Sequence, residues 1–172
     1  RHDGVSGKAA AIVVQPNWPE PALRPMPWPD GKPLTVLYSG HYGYGHDLQD
    51  LIVIAEALEA SDAVRFQLHL SERGLLRWQR QHGHMALPDN MSLAPLVGAE
   101  CLSKHLADAH IHVVAIDDRV SQALMPSKAT AAFRLGRPIM LLGGASSSLR
   151  QDIEEHGLGL FVHRGKSLDA AE

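Results

Sequence analysis

LTVLYSGHYGYGHD, residues 34–47, joins an apolar run to a glycine-rich loop and a helix-start signal. Leu34 to Tyr38 reads as a buried strand. Gly40, Gly43 and Gly45 follow, and Asp47 marks where a helix begins. Strand, glycine loop and helix is a geometry that brings backbone N–H groups up to a phosphate. Glycine removes the Cβ that would hold a ligand at a distance. The helix N-terminus then offers unpaired donors and a partial positive charge.

Outward from this stretch, strands and helices alternate to the end of the chain. Further strands are expected at Val64–Leu70, Met91–Leu96, Ile111–Ile116, Pro138–Leu142 and Leu160–Val162. The first helix is expected from Asp47 to Ala60, because Leu48, Leu51, Ile52, Ala55 and Leu58 keep the three-four spacing of one buried face. Later helices fall at Arg73–Gln81, Ala99–Ala109, Ser127–Leu135 and Ser147–His156, with Gly136 and Gly157 at C-terminal caps. Alternation of this kind predicts an α/β fold, a Rossmann-like doubly wound parallel sheet of about six strands covered on both faces. Residues 34–172 form that domain. Residues 1–33 hold seven of the eleven prolines and read as an extended connector with one short strand, Ala10–Val14. Trp18 and Trp28 are candidates to pin the connector to the domain surface; an unattached linker is the other reading.

Composition limits the function. A chain of 172 residues with 45% apolar content has a core of its own. The net charge of −3 gives no electrostatic footprint for nucleic acid. No apolar run reaches the length of a membrane span. Cys101 stands alone, so no internal disulfide forms, which points to a reducing, cytoplasmic setting. Both ends look cut: no initiator Met opens RHDGVSGKAA, and KSLDAAE reads as the first turn of an unfinished helix. The chain is expected to be one domain of a longer protein.

Ligands of open parallel sheets bind beyond the carboxyl ends of the strands, so the loops after each strand matter most. His41 and His46 flank the glycine loop and could each donate to a phosphate oxygen. Pro126-Ser127-Lys128 starts a helix and puts a hydroxyl and an ammonium at its positive end. A cation there works against the helix dipole unless an anion lies between them. Gly143 to Ser148 is a loop of small side chains that suits a sugar hydroxyl, a phosphate or simply a helix cap. Asp117 and Asp118 are expected to be turn residues, with Asp118 a helix cap. His82 with His84, and His110 with His112, lack Cys or carboxylate partners in a metal pattern, so no metal site is expected and His110 and His112 should pack. The loop reads G-x-x-G-x-G rather than G-x-G-x-x-G, and Glu72 lies past the end of its strand, so a nicotinamide site is disfavoured.

VQPNW (14–18), LYSGHYGYGHD (37–47), MPSKATAAFRLGR (125–137) and DIEEHGLGLFV (152–162) together resemble the C-terminal, donor-binding domain of retaining GT-B glycosyltransferases. The likeness is to the bacterial exopolysaccharide and lipopolysaccharide group of the large family four, group 1, and it spans nearly the whole chain. It implies that Gly40, His41, Gly43, His46, Ser127 and Lys128 hold the diphosphate of a nucleotide sugar. Leu96 and Val97 would lie by the base, and Gly144, Ala145 and Ser146 by the sugar. The nucleoside diphosphate sugar is a substrate, with no cofactor and no metal required. A saccharide or lipid-linked acceptor would come through a separate N-terminal domain, with only peripheral membrane contact on the cytoplasmic side. Catalytic residues are left unassigned. Tyr44 and Gly45 stand where relatives carry Arg-Lys, and Ala123 and Ala131 where many carry glutamates. Those departures keep a degenerate, non-catalytic binding module in play. An NAD-dependent oxidoreductase domain and a sugar-nucleotide epimerase are the remaining alternatives.

Overall fold

The computed structural model describes residues 23–31, 33–121 and 126–165. The expected strand Ala10–Val14, Trp18, Ala123 and the closing KSLDAAE lie outside the described residues. The elements run β1 (Leu34–Gly40), α1 (Gln49–Ala57), β2 (Val64–Leu70), α2 (Glu72–His82), β3 (Met91–Pro95) and α3 (Ala99–Ala107). They continue as β4 (Ile111–Ile116), a short 3-10 turn at Asp118–Val120, α4 (Ser127–Arg134), β5 (Ile139–Gly143), α5 (Ser148–His156) and β6 (Gly159–Val162).

All strand pairs are parallel, in the order β3-β2-β1-β4-β5-β6. This is the expected α/β Rossmann-like sheet. The chain moves outward one way from β1, then returns to start again at β4. Between β1 and β4 the connections part to opposite faces, which opens a crevice at the strands' carboxyl ends. Alternate side chains divide the core between the faces. Val36, Val113, Ala115, Met140 and Leu142 pack against α1 and α2 residues. Val114, Ile116, Ile139 and Leu141 meet Ala129, Ala132, Leu149 and Ile153 on the other face. Burial on both faces is why β5 reads as an unbroken apolar run.

Element ends differ from the expectation by one to three residues, the most at the end of α1, which stops at Ala57 rather than Ala60. β1 continues through Ser39 and Gly40 because these pair with His69 and Leu70 of β2. Gly40 is thus the last residue of the strand, not the first of the loop. α1 begins at Gln49 because the Asp47 carboxylate accepts the Gln49 N–H at 2.9 Å. α3 stops at Ala107; Asp108 closes the helix and the next carbonyls accept from Arg137. Gly157 takes the left-handed conformation, φ +62°, that ends α5.

Arg137 is 3% exposed and has carbonyl oxygens as its partners. It donates to Ala109 (3.0 Å), Ala107 (2.9 Å), Leu135 (3.2 Å), Met26 (2.9 Å) and Pro27. Those bonds tie residues 26 and 27 to the turn between α3 and β4. Trp28 meets the His110 ring edge-on at 5.4 Å beside the same guanidinium. Leu23 is buried against Leu37, Leu106 and Leu135.

Candidate functional site

A cavity of about 630 Å³ opens where β1 ends, between α3 and α4. Gly40, His41, Leu96, Ser127 and Lys128 share its walls, so the glycine loop, the start of α4 and the end of β3 converge on one space. Its floor is apolar, with Leu23, Leu102 and Ala131. Val97 is not on the wall, and neither are Gly144, Ala145 and Ser146.

Two neighbouring features build the polar end. Gly40 has φ +135°, and a Cβ there would stand 2.8 Å from the Lys128 Cε. The lysine stem therefore occupies space that only glycine leaves open. Its ammonium sits 4.9 Å from the centre of the Tyr38 ring, and among the described residues it has no carboxylate partner. Burial pulls the Lys128 pKa down to about 8. Pro126 precedes the helix and no side chain caps its first turn. A half-buried cation over uncapped helix N–H groups is an arrangement that an anion would complete.

His46 faces the loop instead of the cavity. Its Nδ1 lies 2.7 Å from the Tyr38 hydroxyl and 2.8 Å from the His41 carbonyl oxygen, which also accepts from Tyr38 at 2.8 Å. Burial first, and then the Lys128 charge, push the His46 pKa down to about 4, so its ring is neutral. Nδ1 holds the glycine loop against β1, the backbone-bonding role open to a residue at a helix entry. His41 is exposed, with Nδ1 3.2 Å from Ser71 Oγ. Its ring leans over Gly43, where a Cβ would meet Nε2 at 2.9 Å. Tyr38 and Ser71 escaped the sequence reading because one looks like strand core and the other like a helix cap.

The small-residue loop is largely occupied by its own fold. The Ala145 N–H donates to the Asp118 carboxylate at 2.9 Å, and Ser147 caps α5 by accepting the Arg150 N–H. Asp118 is therefore a brace between loops; the capping role expected of it falls to Asp117, which accepts the Arg119 N–H. Hydrogen bonds from Arg119 hold the Asp117 carboxyl below the usual carboxylate range. His112 is buried with Nε2 2.9 Å from the Leu106 oxygen, and burial lowers its pKa to about 4. His110 Nδ1 accepts the Thr35 N–H at 3.0 Å. Both histidines pack, as their spacing suggested. Among the described residues no three His, Cys, Asp or Glu side chains gather as a metal cage. Among them too, no helix is long and apolar enough to cross a membrane.

No family model matches the chain. None of the curated proteins matches it. Solved structures do. TarM is 16% identical over 90% of this chain and 30% of its own, with a TM-score of 0.61. A sucrose-phosphate synthase from Thermosynechococcus elongatus is 18% identical over 80% of this chain and 34% of its own, with a TM-score of 0.59. The C-terminal domain of a group 1 family glycosyl transferase from Francisella tularensis is 13% identical over 84% of this chain and 80% of that one, with a TM-score of 0.57. The chain thus spans about a third of the first two proteins and most of the third, isolated domain. What is shared at these identities is the fold, the Rossmann-like domain of GT-B glycosyltransferases.

Proposed function

We propose that this domain binds the nucleoside diphosphate of a sugar donor and is the donor half of a retaining glycosyltransferase. The observation that carries this reading is the Lys128 ammonium, half-buried at the start of α4, lying across Gly40 and without a carboxylate partner among the described residues. A diphosphate seated there accepts from Lys128 and Ser127 and from the uncapped first turn of α4. Lys128 then neutralises charge that gathers on the diphosphate as the glycosidic bond to the sugar breaks. That role needs no metal. The base extends over the apolar floor toward Leu96. A hexose donor, a saccharide or lipid-linked acceptor presented by another domain, and a cytoplasmic site peripheral to the inner membrane face belong to the same reading.

Ala131 on the cavity wall favours a second reading. It stands where many relatives carry a glutamate and offers the cavity no hydrogen-bonding side chain, as a domain kept only for scaffolding would tolerate. A thermal-shift panel of UDP, GDP and ADP sugars and of CMP sugars, run on the full-length protein, separates the two. A donor site gives a rise with one nucleotide class that Lys128→Ala abolishes. No shift with any nucleotide supports the scaffold.

A further inference from the structure

His41 has a cavity on either side. Beyond it, between the glycine loop and α2, lies a second concavity of about 480 Å³. Its walls include Arg73, Arg77 and Arg80, spaced by four and three residues so that one helix face presents all three. Among the described residues none of them is ion-paired. Asp47, an acid close to this wall, is already engaged by Arg164 at 3.3 Å. Three guanidinium groups in one groove, none in an ion pair among the described residues, stand out in a chain of net charge −3; Arg80 Nε donates to the Leu76 carbonyl at 3.2 Å and leaves its terminal N–H groups free of that bond.

The groove is rigidly built. At Gly74 a Cβ would meet the backbone nitrogen of Tyr42 at 3.2 Å, so α2 presses directly on the glycine loop. Tyr42 is 3% exposed and meets Trp78 edge-on at 5.7 Å. Arg77 lies with its guanidinium carbon 4.1 Å from the centre of the Tyr44 ring and 5.7 Å from that of Tyr42. Its Nε is buried without a hydrogen-bond partner. Aromatic rings hold a guanidinium by its flat face and leave the N–H fork at its edge for an acceptor. Tyr44, 88% exposed, forms the lip.

We propose that this groove is a second phosphate site, separate from the cavity beside Lys128, which takes the phosphate or diphosphate of the other substrate. Guanidinium forks match phosphate oxygens in charge and geometry. One concavity is walled by α3 and α4 and the other by α2, with His41 on the wall of both, so each holds its own anion. The assignment to a second substrate rests on the donor reading; the anion site does not. A lipid-borne and a soluble diphosphate would present the same chemistry, and Tyr44 would meet whatever the phosphate carries.

The test is titration calorimetry on the full chain at fixed ionic strength. Inorganic pyrophosphate and farnesyl diphosphate are each titrated with and without saturating UDP. Both should bind in the presence of UDP, lose affinity at least tenfold in Arg73→Gln/Arg77→Gln, and be unaffected by Lys128→Ala. Tighter binding of farnesyl diphosphate assigns the site to a lipid-borne partner, and equal binding to a soluble one. Should the double variant unfold, the exposed Arg80→Gln must still weaken binding severalfold. Displacement of pyrophosphate by UDP, indifference to the arginine changes, or no binding overturns the proposal. If UDP fails to bind while pyrophosphate still depends on the arginines, the donor reading falls and the groove stands.

Discussion

The Lys128 Cε lies 2.8 Å from the point where a Cβ on Gly40 would stand. One of these residues ends β1 and the other begins α4, so the contact closes the crevice where the sheet changes direction. It also sets the ammonium over Tyr38, whose hydroxyl holds the glycine loop through His41 and His46. Loop shape and lysine position are thereby one unit.

Gly40→Ala should break that unit. At φ +135° an L side chain is strained, at a cost of about 1–3 kcal/mol, and the lysine end must swing away. Denaturant unfolding should show the loss of stability. UDP titration should show a further, separate fall of about tenfold in affinity as the ammonium leaves its place. Affinity equal to the parent's would detach Lys128 from the ligand.

Nucleotide binding should depend on pH through Lys128. Its pKa is lowered to about 8 by burial, and only the charged amine attracts a diphosphate. Affinity is therefore level below pH 8 and falls above it, approaching about tenfold per pH unit. Lys128→Arg stays charged throughout and should flatten the profile. Calorimetry from pH 7 to 9.5 reads both. A decline that survives in the arginine variant would place the titrating group elsewhere.

Acid should destabilise the fold through His112 and His46. Each has a folded pKa pushed down to about 4 from 6.5. The unfolded chain then binds more protons, so stability is whole above pH 6.5 and falls as pH drops toward 4. At pH 5 the buried His112 alone accounts for about 2 kcal/mol, and the more exposed His46 for less. Urea unfolding at pH 7 and pH 5 measures the difference, and His112→Gln should reduce it. An unchanged difference in that variant would mean the proton goes elsewhere.

The fold was legible because a sheet buried on both faces writes itself as apolar runs, here VVAI and IMLLG, separated by helices with caps at Gly136 and Gly157. The convergence of Gly40, Ser127 and Lys128 on one cavity was legible as well, since a glycine loop and a lysine at a helix start each carry a local signal. Roles fixed by distant partners were not. Ser71 lies thirty residues from the His41 it touches. Arg77 joins Tyr44 only because Gly74 lets α2 close on the loop. Asp118 looked like a cap, yet the Ala145 N–H that it accepts comes from the next strand's loop. Nothing local to these residues records such contacts.

Arg137→Lys tests how the connector shapes the cavity. The guanidinium serves carbonyl oxygens of Ala107, Ala109, Leu135, Met26 and Pro27, and burial disfavours its charge, so the bonds themselves must hold it. A lysine brings three donors on a narrower head. At least two acceptors would then lack partners, at about 1–3 kcal/mol each where they are buried. Met26 and Pro27 are the outermost of the five and should be released first. Leu23 would lose its hold with them, and Leu23 is part of the cavity floor. The variant should unfold at lower denaturant, be cut faster by thermolysin on the amino side of Leu23, which is buried in the parent, and bind nucleotide more weakly although Lys128 is untouched. Weaker stability with unchanged cleavage and binding would show that the connector rests on the domain without shaping the site.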